Sequence, residues 1–75
     1  MPREILVDAK GLACPGPFIE FLKAFKKAQP GDRIIVLSND PNTEKDIRMW
    51  TERAGQKLVR VTVDGDLWTI VVEKV

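Results

Sequence analysis

The spacing of the apolar residues alternates along this chain between that of a strand and that of a helix, and this alternation most constrains the fold. Four strands are predicted by apolar runs at residues 5–7, 34–37, 58–63 and 67–72. Between the first two runs, helical spacing predicts an amphipathic helix whose apolar stripe is Phe18, Phe21, Leu22, Phe25 and Ala28. A second helix follows the capping and turn residues 39–43, ends at Gly55, and carries on one face Ile47, Trp50 and Ala54. The predicted order is therefore strand, helix, strand, helix, strand, strand.

The connections between these elements predict how the strands pair. Asp64-Gly65, between the last two β-branched runs, is a strong signal for an antiparallel hairpin. Each strand-helix-strand unit favours parallel neighbours, so the sheet should be mixed. Both helices should cover one face, leaving a solvated face that includes Arg60, Thr62 and Thr69. We therefore predict one domain over residues 1–75 of the α/β (α+β) class, a two-layer sandwich with a mixed four-stranded sheet and two helices on one face.

The residue types present exclude much of the catalytic chemistry known in proteins. The chain has one Cys and no His, which excludes His-activated nucleophiles, internal disulfides and thiolate metal clusters. Its 12 basic and 11 acidic residues leave a net charge of +1 that is not polarised, so we expect no direct binding of nucleic acid. The longest aliphatic run, Ile34–Leu37, is four residues, so we expect no membrane segment and a cytoplasmic location. Carboxylate chemistry, a lone thiol, or binding without chemistry remain.

The lone thiol, Cys14, lies where a loop meets the start of the first predicted helix. With Cys14 as the N-cap, Pro15 and Pro17 occupy first-turn positions, where their missing N–H groups cost nothing. The amide of Gly16 would then be free to donate to the sulfur, and the helix dipole would lower the pKa of the thiol. Lys10 could add positive charge from the preceding loop. The alternative, a small buried cysteine at a helix start, stays open at this point.

Asp40 and Asp46 are six residues apart and could be read as a pair of carboxylates for acid-base work. A structural interpretation is favoured, because Asp40 lies where a helix cap is expected and Asp46 lies in or near the first helical turn. Both acids could also contribute to a surface that docks a partner beside Cys14.

Residues 8–17, Asp-Ala-Lys-Gly-Leu-Ala-Cys-Pro-Gly-Pro, resemble the signature of the TusA/SirA-like sulfur-carrier (sulfurtransferase) family. Later landmarks of that family follow in the same order and at similar spacing: Gln29-Pro30-Gly31-Asp32, Asn39-Asp40-Pro41, Asp46-Ile47, Trp50, and Gly55 with Leu58. The resemblance implies the same sandwich fold and a sulfurtransferase that carries sulfur as a persulfide on Cys14, with no other cofactor or metal. It implies a protein donor of the cysteine desulfurase or rhodanese type and a protein acceptor such as a TusD/DsrE-like protein. We expect a monomer.

Two residues depart from the family pattern. Many relatives carry an acidic residue in place of Asn39, and often a His in place of Gln56. Members of the family supply sulfur to tRNA thiolation, to molybdenum-cofactor synthesis or to sulfur oxidation, and the residues here do not select among these. The same fold also resembles the C-terminal domain of a bacterial translation initiation factor, so a non-catalytic adaptor or an RNA- or ribosome-binding module is the alternative function.

Overall fold

The elements follow one another in the predicted order. The structure is a computed structural model that describes residues 3–13 and 15–75. Its strands and helices are β1 (Glu4–Asp8), α1 (Gly16–Lys27), β2 (Arg33–Ser38), α2 (Pro41–Ala54), β3 (Lys57–Asp64) and β4 (Leu67–Glu73). Among the described residues, no helix is long and apolar enough to cross a membrane.

The four strands form one mixed sheet in the order β1-β2-β4-β3. β1 is parallel to β2, with Ile5 opposite Ile34, while β4 is antiparallel to both β2 and β3. The prediction of parallel neighbours is therefore correct for β1 and β2 but wrong for β2 and β3, because β4 lies between them. β4 takes an inner place because its residues 70–72 are three consecutive apolar side chains, all of them buried, whereas β3 is mostly exposed.

Both helices cover one face of the sheet, as predicted. The fully or almost fully buried core on this side combines residues of both helices and of three strands: Val7, Phe21, Ala28, Ile34, Val36, Ile47, Ile70 and Val72. The ring of Trp50 on α2 packs edge-on against Phe21 and Phe25 of α1, with centroids 5.2 and 4.8 Å apart. Edge-to-face pairs at these distances contribute beyond their buried area, so this aromatic cluster holds the two helices together.

The opposite face of the sheet is partly open to solvent. Arg60 and Thr62 are exposed, as predicted, and Leu6 is 63% exposed, whereas Thr69 is half-buried. Val71, between them on the central strand, is nevertheless buried. A solvated face with a small apolar centre is expected for a largely antiparallel sheet whose helices cover one side only.

The last two strands form the predicted hairpin, but its loop is shifted by one residue. Asp64 pairs with Leu67, so the two loop residues are Gly65 and Asp66 rather than Asp64 and Gly65. Gly65 has a φ of +63°, and a first loop residue with positive φ is where glycine is favoured in a two-residue hairpin.

The start of the sheet is fixed by Asp32, a nearly buried carboxylate just before β2. It accepts hydrogen bonds from the backbone N–H groups of Gln29 and Arg3, each 3.0 Å long, and pairs with the Arg3 guanidinium at 3.4 Å. The Gln29 N–H, then the Arg3 N–H and guanidinium, lower the pKa of Asp32. Asp32 thus ties the entry of β1 to the turn that precedes β2, at the end of the sheet opposite to the one where β1 leads into residues 9–13.

Candidate functional site

The candidate site lies where β1 ends and α1 begins. Cys14 itself lies outside the described residues, but the chain on either side of it is described, and we call residues 9–13 together with Pro15 the flanking loop. The loop leaves the carboxyl end of β1 and leads into the N-terminus of α1. In the sequence, Cys14 therefore lies between β1 and α1, both of which the structure describes.

The flanking loop is hydrogen-bonded to the carboxyl end of β2. The amide of Ala9, which is fully buried, donates to the Leu37 carbonyl at 2.9 Å. Gly11, whose φ is +82°, donates its N–H to Oδ1 of Asn39 at 3.1 Å. Leu12 closes the loop by donating its N–H to the Ala9 carbonyl at 3.2 Å. These contacts fix the path of residues 9–12 beside the carboxyl end of β2.

Asn39 is a positioning residue that the sequence analysis treated only as a departure from the family pattern. Besides accepting from Gly11, its Nδ2 donates to the Asp66 carbonyl at 3.5 Å, a long bond to the hairpin loop. Its place could have been found from the sequence, because β1 and β2 are parallel neighbours and the carboxyl ends of such strands meet at one edge of the sheet.

α1 begins one residue later than predicted, which changes the role of Gly16. The N-cap is Pro15, with φ −96° and ψ 16°, and Gly16 is the first helical residue. The Gly16 amide donates to the Ala13 carbonyl at 2.8 Å, so the prediction that this amide is free to bind the sulfur is wrong. A β-carbon on Gly16 would lie 3.3 Å from Cβ of Leu12, so the glycine allows the flanking loop to pack closely on the helix.

The two helix N-termini differ in how their partial positive charge is balanced. At α2, Asp40 accepts from the Asn42 amide at 2.9 Å, and Glu44 lies in the first turn. Among the described residues, no side chain caps α1 and none in its first turn is acidic, and the buried ring of Pro17 takes the second position. The partial positive charge at the start of α1 is therefore not balanced by an acidic side chain of its own first turn.

Lys10 is exposed, and the structure gives it a partner on β1. Its Nζ lies 3.9 Å from Oδ2 of Asp8, and its amide donates to Oδ1 of the same carboxylate at 3.2 Å. An exposed pair of this length is weak, so the side chain can exchange partners at little cost. A role for Lys10 beside the thiol stays a prediction.

Two exposed apolar side chains lie near the start of α1 in the sequence. Leu12 in the flanking loop is 43% exposed, and Ile19, the fourth residue of α1, is 46% exposed. A groove of about 340 Å³ lies between α1 and α2 and is lined by Phe18, Asp46, Met49, Trp50 and Arg53. This helix groove begins one turn after the flanking loop and gives a partner both apolar and charged surface.

The structure separates the two acids that were predicted as docking residues. Asp40 is the N-cap of α2, which confirms its structural interpretation. Asp46 is the sixth residue of α2, so it lies in the second turn, and the first-turn acid is Glu44 instead. Asp46, but not Asp40, lines the helix groove. Within residues 3–13 and 15–75, no three His, Cys, Asp or Glu side chains are grouped as ligands of a metal ion.

Comparison with known proteins gives the class to which this fold and loop belong. The family model described as "Sulfurtransferase TusA" matches residues 5–74. A relative from Archaeoglobus fulgidus is 44% identical over 70 residues, which cover 93% of this chain and 96% of the relative. A second, YrkI from Bacillus subtilis, is 31% identical over 74 residues and 99% of both chains. Both relatives carry the name "putative sulfur carrier protein".

A solved structure shows the same fold. The crystal structure of the SirA-like protein from Desulfitobacterium hafniense superposes with a TM-score of 0.80 at 23% sequence identity, over 92% of this chain and 95% of that one. Together with the family match, this confirms both the predicted sandwich and the predicted resemblance. The chain belongs to the TusA family of sulfurtransferases and is a sulfur carrier of the TusA/SirA type. A carrier of this kind exchanges sulfur with partner proteins.

Proposed function

We propose that this sulfur carrier holds the transferred sulfur as a persulfide on Cys14. The observation that carries the proposal is that Cys14 is the only cysteine of a chain that belongs to a sulfur-carrier family. Among the protein's side chains, a thiolate is the group that exchanges sulfur with another persulfide. The persulfide would be the only group that the protein carries, with no metal or separate cofactor.

The proposed reaction is two successive thiol exchanges. The Cys14 thiolate attacks the outer sulfur of a donor persulfide, the sulfur–sulfur bond of the donor breaks, and the donor cysteine leaves as a thiolate. An acceptor thiolate then attacks the outer sulfur on Cys14 in the same way, which regenerates the Cys14 thiolate. Each step forms one sulfur–sulfur bond and breaks one, so no external oxidant or reductant is required. A chain with a single cysteine also has no second thiol that could form an internal disulfide with Cys14 and expel the outer sulfur as sulfide.

The ends of the elements around Cys14 support this chemistry. The dipole of α1, which no acidic first-turn residue offsets, favours the thiolate over the thiol. Pro15 and Pro17 limit the conformations of the chain between the loop and the helix. We propose that Gly16 acts by allowing close packing on Leu12, and that Lys10 adds positive charge near the sulfur.

The partners proposed for this site are proteins whose own thiols must approach Cys14. The donor would be a cysteine desulfurase or a rhodanese-type enzyme, and the acceptor a TusD/DsrE-like protein. Exposed Leu12 and Ile19 would contact such a partner, and Asp46 in the helix groove would pair with a basic residue on it. Asp40 does not line the helix groove and would contribute less. The acceptor decides whether the sulfur serves tRNA thiolation, molybdenum-cofactor synthesis or sulfur oxidation in the cytoplasm.

Intact-mass spectrometry after loading tests the proposal. The protein is incubated with a cysteine desulfurase and cysteine, or with a rhodanese and thiosulfate, beside a Cys14→Ser variant. We expect the mass of one additional sulfur atom on the wild type only, and its removal by a reductant. If neither donor adds sulfur, or if the serine variant is loaded equally, Cys14 is not the carrier. Partner binding that survives in the serine variant without any sulfur on the wild type would instead favour the adaptor function.

A further inference from the structure

β1 forms one edge of the sheet, and half of its backbone groups face away from the sheet. The Arg33 amide donates to the Arg3 carbonyl at 2.8 Å, and the Ala9 amide donates to the Leu37 carbonyl at 2.9 Å. Within a strand, alternate residues direct both their N–H and their C=O to the same side. Residues 3, 5, 7 and 9 therefore bond to β2. The N–H and C=O groups of Glu4, Leu6 and Asp8 point outward, where no described strand adjoins β1.

The two edges of the sheet differ in how they are protected against pairing with another strand. β3, at the far edge, has an irregular register between Leu58 and Arg60, and Lys57 and Arg60 place charges along it. Bulges and cationic side chains are devices that prevent edge-to-edge pairing. β1 is regular throughout its pairing with β2, and its centre, residues 5–7, is apolar. β1 is thus the edge of the sheet that remains open to an additional strand.

A groove runs along the outward side of β1. It has a volume of about 360 Å³ and is lined by residues 5–8 of β1 and, on α1, by Glu20, Lys23, Ala24 and Lys27. Lys23 is 65% exposed although it pairs with Glu20 at 3.3 Å, so its charge is accessible from the groove. We call this feature the β1–α1 groove. An extended segment that pairs with β1 would fill it.

The charges around the β1–α1 groove specify the chemistry of that segment. Burial alternates along β1, with Glu4, Leu6 and Asp8 exposed on the open face of the sheet and Val7 buried under α1. The added strand would therefore need basic residues on the open face, opposite Glu4 and Asp8. The Asp8 carboxylate is 58% exposed, and its weak pair with Lys10 can open. On the other face, toward α1, apolar or acidic residues of the added strand would suit the groove wall formed by Ala24, Lys23 and Lys27.

A second copy of this chain fits the edge poorly. Antiparallel pairing of two β1 strands about Leu6 would place Glu4 of each copy opposite Asp8 of the other. Like charges directly opposite one another destabilise a strand pair. The occupant is therefore a different chain.

We propose that the β1 edge docks an extended segment of another protein, added antiparallel to β1, with two basic residues four positions apart, opposite Glu4 and Asp8, and apolar or acidic residues between them. The backbone groups of Glu4, Leu6 and Asp8 supply the hydrogen bonds, and the charges of Glu4, Asp8, Lys23 and Lys27 select the sequence. This docking site does not depend on sulfur transfer.

A pair of capped synthetic peptides tests the proposal. The first has the central residues Lys-Val-Val-Glu-Lys, and the control has Glu-Val-Val-Lys-Glu, so that the charges are reversed on the same apolar centre. In an NMR titration of the full chain, we expect the first peptide to shift the amide signals of Glu4, Leu6 and Asp8 and to slow their hydrogen exchange. The control should bind about tenfold more weakly, because two favourable cross-strand pairs become unfavourable.

Two variants of the protein complete the test. Leu6→Pro removes an outward N–H without removing a bond to β2, and proline is tolerated on edge strands, so it should abolish binding in a protein that still folds. Glu4→Lys with Asp8→Lys should reverse the preference between the peptides, while Asp64→Lys on the β3 edge should leave it unchanged. The proposal is overturned if the first peptide does not bind, if both peptides bind equally, or if the shifts lie away from β1. Self-association through β1 at increasing protein concentration would likewise overturn it.

Discussion

Replacement of Asn39 tests whether this side chain positions the flanking loop. Its Oδ1 accepts the Gly11 N–H at 3.1 Å, and its Nδ2 makes a long bond of 3.5 Å to the Asp66 carbonyl. A hydrogen bond of ordinary length contributes about 0.5–1.5 kcal/mol net, and one at the distance limit contributes little. Asn39→Ala should therefore lower the free energy of unfolding by about 1 kcal/mol, which for a domain of this size lowers Tm by about 4–8 °C.

A conservative variant separates the two bonds of Asn39. Asn39→Asp keeps an oxygen for the Gly11 amide and loses only the weak donor, so it should retain most of the stability that Asn39→Ala loses. Asn42→Ala, three positions along in α2, removes an exposed asparagine as a matched control. Thermal and denaturant unfolding of the three variants give the stabilities, and the alkylation rate of Cys14 reports on the loop. Equal destabilisation by Asn39→Ala and Asn39→Asp, or by Asn39→Ala and Asn42→Ala, would refute the reasoning.

Two further predictions concern the core and the sheet entry. Phe21→Ala removes a fully buried ring that packs against Trp50, so it should lower the free energy of unfolding by about 3–5 kcal/mol. Denaturant unfolding monitored by Trp fluorescence measures this, and a loss below about 1 kcal/mol would contradict the packing. The backbone amides of Gln29 and Arg3 lower the pKa of Asp32, so its contribution to stability is present above the ordinary carboxyl pKa and is lost as the pH falls through the lowered value. Asp32→Asn should therefore destabilise the protein at neutral pH and flatten the loss of stability below about pH 4, and an unchanged pH profile would contradict the assignment.

The order of the elements was predictable because apolar runs mark the strands and helical apolar spacing marks the helices. The five-membered stripe of α1 and the unbroken apolar run of β2 each fit one type of element, and the structure confirms both. The position of β4 between β2 and β3 was not predicted. The connection lengths allow either β3 or β4 to lie next to β2. The apolar residues 70–72, which are all buried, place β4 there and leave β3 at the edge.

At the candidate site, the sequence indicated the segment but not its hydrogen bonds. Two prolines and a glycine after Cys14 predict a helix start, and α1 does begin there. The exact start depends on Pro15, whose ψ of 16° is not helical, and on the Gly16 amide, which the Ala13 carbonyl takes up. Asn39 was missed because its partner, Gly11, is 28 residues away and becomes a neighbour only when β1 pairs with β2.

The relay of sulfur from Cys14 to a second protein is the most direct test of the central claim. The wild type is loaded with sulfur from a desulfurase, separated from the donor, and mixed with a TusD/DsrE-like acceptor, and the intact masses of both chains are followed over time. The account predicts that the carrier loses the mass of one sulfur atom as the acceptor gains it, and that Cys14→Ser supports no transfer. Sulfur that never leaves the loaded chain, or transfer that proceeds equally with Cys14→Ser, would contradict it.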